Sequence, residues 1–127
     1  MPDLSRILSA SAPLMLSSLP RGAAPLVLAD LARAAKTTKG AQRAVYIAPD
    51  EAAMRSVAEA ARFFAPEVEV LEFPAWDCLP YDRASPALSV SAARLSALFK
   101  LQHPGSGSQL LVTTVNAALQ RVLTPFR

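Results

Sequence analysis

One cysteine, one histidine and four glycines in 127 residues leave little material for several kinds of chemistry. The lone thiol, Cys78, can form neither an internal disulfide nor a zinc cluster, which fits a reducing compartment. The only histidine, His103, stands beside Pro104 at the end of a helical pattern, where a solvated or capping role is the default. No Ser/His/Asp or Cys/His set can be assembled around it, and Cys78 beside Trp76 reads as a small buried residue. Charge is also scarce: 18% of residues, 13 basic against 10 acidic, a net +3. The pI near 9.5 therefore reflects a small surplus and not a basic stripe of the kind nucleic-acid modules carry. No apolar run approaches the roughly 20 residues that span a bilayer. Arg6 and the stretch Leu14–Leu16 weakly resemble a signal peptide, but Pro13 and the serines interrupt it and no cleavage pattern follows. A cytoplasmic chain without membrane partners is expected.

What the chain does have is apolar residues, 52% of the total, with a mean hydropathy of +0.27. That is high for one small domain. Either the core is unusually apolar or one face expects a cover, and the second reading is favoured. Residues 1–20 offer one short helix from Asp3 or Leu4 to Ala10, then a Ser/Pro stretch of partial disorder. From Pro25, suited to a first helical turn, Leu28, Leu31, Ala32 and Ala35 form an amphipathic stripe that Thr37 to Gly40 ends. Arg43–Ala48 reads as a strand, and Asp50 caps a helix to Phe64 with Met54, Val57, Ala61 and Phe64 on its apolar side. Val68–Phe73 is a second strand. Leu88, Ala92, Leu95 and Phe99 mark another helix face, Gln109–Thr113 a third strand, and Thr114 caps a last helix to about Val122. This alternation predicts a three-layer α/β fold over residues 21–127, with a small parallel sheet of about three strands and crossover helices. Its edges would be exposed, and the run Leu123–Arg127 closes no obvious fold, so a partial domain is expected, one that self-associates through uncovered apolar surface.

Parallel α/β sheets often bind phosphate at a strand-to-helix turn, and Leu19–Pro25 stands before a helix. It has one glycine, Gly22, followed by Ala23, Ala24 and Pro25, where a phosphate loop needs lysine and Ser/Thr. We read it as a degenerate phosphate loop that holds no cofactor. The alternative is a nucleotide-binding domain with an atypical loop. A further alternative is DNA contact through Arg33, Lys36, Lys39 and Arg43, although cations near a helix end are favoured by its dipole without any ligand. The irregular stretch Phe73-Pro74-Ala75-Trp76-Asp77-Cys78-Leu79-Pro80-Tyr81-Asp82-Arg83-Ala84-Ser85-Pro86 is the most distinctive part of the chain. Pairing Asp77 with Asp82 as acid and base or as metal ligands lacks a third ligand, so neither catalytic nor metal residues are assigned. A rigid, packed loop anchored by Trp76 and Tyr81 is the favoured reading.

That loop, with Ser91–Leu95, Leu111–Val115 and Gln120–Val122, resembles the amino-terminal module of bacterial transcription-repair coupling factors. The resemblance covers roughly residues 20 to 123 and rests on Phe73, Pro74, Trp76, Asp77, Leu79, Pro80, Tyr81, Asp82, Ser85, Pro86, Arg94, Leu95 and Arg121. Asp77-Cys78 replaces the family's usual Glu-Thr, a mild departure. The resemblance implies a module similar to the damage-binding B subunit of the excision nuclease, a truncated P-loop-NTPase-like domain without its phosphate loop. It also implies a parent that is an ATP-dependent translocase on double-stranded DNA, displacing stalled RNA polymerase and recruiting the excision nuclease's A subunit. ATP and Mg would belong to motor domains outside this chain, and this segment itself would be a non-catalytic scaffold.

Overall fold

A computed structural model describes residues 3–20, 22–37, 43–78 and 83–122. Helix α1 spans Leu4–Ser9, where the Asp3 carboxylate accepts from the Ser5 N–H. Then follow α2 (Ala24–Thr37), strand β1 (Ala44–Ala48), α3 (Glu51–Phe64), β2 (Glu69–Phe73), α4 (Leu88–Gln102), β3 (Gln109–Thr114) and α5 (Val115–Leu119). Two caps sit where the residue types predict. Asp50 accepts from the Ala53 N–H at 2.8 Å, and the Thr114 hydroxyl accepts from the Ala117 N–H at 3.1 Å. The last helix stops at Leu119, short of the expected Val122, because Gln120 is already extended. Gly40, expected to end α2, lies outside the described residues.

The sheet is parallel in the order β1-β3-β2. Chain direction across it reverses after β2, so right-handed crossovers place α3 and α4 on opposite faces. Tyr46, Ala48, Val70, Leu110 and Val112 meet α2 and α3 on one side, where Ala32, Ala58 and Ala61 let the two helices approach closely. The other face is only partly covered. Phe73, Ala97 and Ala117 form a small second cluster with Leu98 and Leu111, and α4 packs chiefly over β2. Over β1, among the described residues, Val45 and Ile47 are left 53% exposed each. The three-layer expectation is thus met over β2 and not over β1.

Two expectations fail. Leu88, Ala92, Leu95 and Phe99 lie on the outer side of α4, with Leu88 87% and Phe99 63% exposed, while Arg94 and Ala97 are the residues α4 buries. The stripe is apolar, but the sheet beneath α4 is narrow and meets only the opposite side of the helix. At the end of α3, Phe64 points outward and stacks edge-on with Phe63 at 5.2 Å instead of entering the core.

The two sheet edges differ. Glu69 N–H bonds to Ser108 C=O, so residues 69, 71 and 73 face β3, and Val70 and Glu72 present their backbone groups outward. Arg62 donates to the Val70 carbonyl at 3.3 Å and pairs with Glu72 at 2.9 Å, while Lys100 pairs with Glu69 at 3.2 Å. Charged side chains thus overlie the β2 edge, a common protection against strand addition. The hydrogen bond from Gln109, then the Lys100 ammonium, hold the Glu69 carboxyl below the usual glutamate range. The unfolded chain takes up that proton first as pH falls, so this contribution is present above about pH 4.3 and is lost on further acidification. Glu69→Gln is therefore expected to flatten the acid limb of a Tm-against-pH curve; an unchanged slope would contradict the assignment.

Candidate functional site at the carboxyl ends of the strands

Because Arg33, in the second half of α2, pairs with Glu67 just before β2, α2 runs antiparallel to the strands and its first turn lies near their carboxyl ends. This is where ligands gather in open α/β sheets. Gly22 has φ +85°, a conformation that favours glycine, and a Cβ there would meet nothing within 4 Å. Its glycine is explained by the turn, in which Ala23 N–H bonds to Pro20 C=O at 3.0 Å. Pro25, buried in the first turn of α2, offers no N–H, which leaves an anion fewer donors than a phosphate loop supplies.

Four of the resemblance-bearing residues, Phe73, Pro74, Trp76 and Arg94, meet at the end of β2. Arg94 enters from α4, 2% exposed, with its guanidinium 4.2 Å from the Phe73 ring centroid and 4.5 Å from that of Trp76. It donates to Pro74 C=O at 2.7 Å, to Gln120 Oε1 at 3.4 Å and to Arg121 C=O at 3.4 Å. The same Gln120 oxygen accepts from the Trp76 N–H at 2.7 Å. Burial presses the Arg94 pKa down from its usual value. A guanidinium nevertheless stays charged in proteins, and here, among the described residues, carbonyl oxygens and ring faces hold it. Arg121 contributes its backbone carbonyl, its side chain being exposed.

Asp77 has a structural task. Both its oxygens accept from the Ala87 N–H at 3.2 Å, which ties the start of the loop to the start of α4 across the residues between. Its proposed partner Asp82, with Leu79, Pro80 and Tyr81, lies outside the described residues. Ser85 is exposed, Pro86 is half-buried, and Leu95, on the outer side of α4, belongs to no cluster at this site. Cys78 is half-buried rather than buried. Among the described residues, no three His, Cys, Asp or Glu side chains come together as a metal site would need. His103 accords with its expected capping place, its Nδ1 3.1 Å from Phe99 C=O and its ring stacked on Phe99.

Two of the four basic residues have intramolecular partners among the described residues. Arg33 bridges Asp30 and Glu67, and Arg43 donates to Leu101 C=O at 3.2 Å. Lys36 is exposed, and Lys39 lies outside the described residues. Gln120 is the site residue that sequence reasoning missed. Only its place beside Arg121 in the resembling stretch pointed to it.

No helix among the described residues is long and apolar enough to cross a membrane. No protein-family model and no solved structure matches the chain. Over 57 residues, 45% of this chain, it is 42% identical to the transcription-repair-coupling factor of Haemophilus influenzae. The match spans about 5% of that relative's length. A substantial part of this chain is therefore a segment related to transcription-repair coupling factors.

Proposed function

We propose that the chain serves as a non-catalytic scaffold segment of a transcription-repair coupling factor, in the part similar to the excision nuclease's B subunit. The sequence identity to the Haemophilus influenzae protein carries this reading. The loop between β2 and α4 supports it, because Asp77 in the loop and Arg94 from α4 are both engaged in holding backbone together. In the parent, RNA polymerase, the A subunit and double-stranded DNA would be engaged elsewhere, and ATP and Mg would serve motor domains outside this chain. Isothermal titration of the chain with Mg-ATP is expected to give no heat and no shift in Tm. Stabilisation of about 2–3 kcal/mol at a hundredfold excess over Kd would overturn the scaffold reading.

One observation favours the second reading, a nucleotide site with an atypical loop: the Gly22 turn begins α2 near the carboxyl ends of the strands. The same titration decides between them. DNA contact through Arg33, Lys36, Lys39 and Arg43 loses support because two of the four are occupied by intramolecular partners.

A scaffold segment should carry surface meant to be covered, and Val45, Ile47, Leu95, Phe99 and Leu119 are exposed. The chain alone is expected to self-associate in light scattering at high concentration, and Ile47→Lys to reduce that association. A clean monomer at every concentration would contradict the reading of these residues as surface meant to be covered.

A further inference from the structure

We propose that Arg94 joins the Trp76 loop and the segment leaving α5 into one mechanical unit, so that the loop responds to where residues 120–121 go. This inference does not depend on the function proposed above. It starts from how a cation 2% exposed is held: among the described residues, its hydrogen bonds go to two main-chain carbonyls and one amide oxygen. An arginine paired with Asp or Glu would be fixed by one side chain. Arg94 is fixed by two main-chain carbonyls, Pro74 and Arg121, far apart in the sequence and bound to different elements. Its orientation is therefore set jointly by the backbone at the end of β2 and the backbone past α5.

The connection closes through Gln120, whose Oε1 accepts from both Arg94 and the Trp76 N–H. Among the described residues, the hydrogen bonds joining positions 74–78 to positions 120–122 all pass through these two side chains. Neither ladder nor helix bonds hold the two segments together there, and Gln120 is already outside α5. Displacing Arg121 C=O would deprive the fork of one acceptor and turn it. Turning it would shift the plane between the Phe73 and Trp76 rings, because a guanidinium stacks only while it lies over the ring face. Movement of the exit segment would thus reach the loop, and movement of the loop would reach the exit segment.

Trp76 is the chain's single tryptophan, so its emission and its amide both report on the loop. The test is a Gly-Gly insertion between Gln120 and Arg121, which leaves every side chain in place and changes the path of the main chain. Hydrogen-exchange protection of the Trp76 N–H is expected to fall about fivefold, the equivalent of one neutral hydrogen bond. Its emission should become more accessible to acrylamide, while the Leu110 amide in the central strand keeps its protection. Unchanged Trp76 protection and quenching would overturn the proposal. A second measurement separates transmission from mere packing. Gln120→Ala is introduced into the wild-type chain and into Arg94→Lys, which keeps the charge but loses the fork. A smaller effect of Gln120→Ala on Trp76 in the lysine background is expected, whereas additive effects would mean that the two side chains act independently and would overturn the linkage.

Discussion

Replacing Arg94 by alanine should lower stability by about 2–4 kcal/mol, or roughly 10 °C in Tm for a chain of this length. The charge itself is not the source of that loss, since a buried cation is costly to desolvate. The loss comes from what the side chain leaves behind. Pro74 C=O and Arg121 C=O lose a charged donor, and the Phe73 and Trp76 faces lose the plane between them. Arg94→Lys should fall between wild type and alanine, because an ammonium can reach one carbonyl but cannot fork to two segments. Thermal unfolding followed by circular dichroism decides the matter. A change below about 0.5 kcal/mol, the range of ordinary surface substitutions, would show that the site is not held by this residue.

The second large effect belongs to the centre of the sheet. Leu110 is fully buried in β3, the strand paired on both sides, and touches the core shared with α2 and α3. Leu110→Ala should cost about 3–4 kcal/mol, the transfer of the lost carbons plus the cavity that a two-sided sheet cannot collapse. A small domain has a total stability of the order of 5–15 kcal/mol, so the variant should be partly unfolded at 37 °C. Guanidinium titration reads the difference directly, and a loss under about 1 kcal/mol would mean that the core relaxes around the vacancy.

The fold was legible where local chemistry decides it. Asp50 and Thr114 announce helix starts because a short polar side chain is needed to satisfy N–H groups, and both do so. The strands were legible as short apolar runs between turn residues. The inward side of α4 was not legible. Leu88, Ala92, Leu95 and Phe99 have helical spacing, but spacing says only that a face is apolar, not that an element lies opposite it. Whether β1 or β2 would lie under α4 depends on strand order, which no local window contains. The candidate site was half legible. Phe73, Trp76 and Arg94 drew attention through resemblance, but their convergence needed the register that brings Gln120 beside the end of β2. A buried arginine also runs against the ordinary expectation that arginine stays outside unless paired. Two of its partners are main-chain carbonyls, which every residue carries and which leave no mark in a sequence.

The unequal edges of the sheet set a limit on how it can grow. Arg62 and Glu72 occupy the rim beside β2, while among the described residues the rim of β1 next to Val45 and Ile47 pairs with no strand. A sheet with two receptive rims can add copies without end, as fibrils do. With one receptive rim, two copies that meet there by a two-fold axis use up the only place for addition. Self-association by this route therefore stops at a pair, and the same rim, once filled by any other strand, admits no second guest.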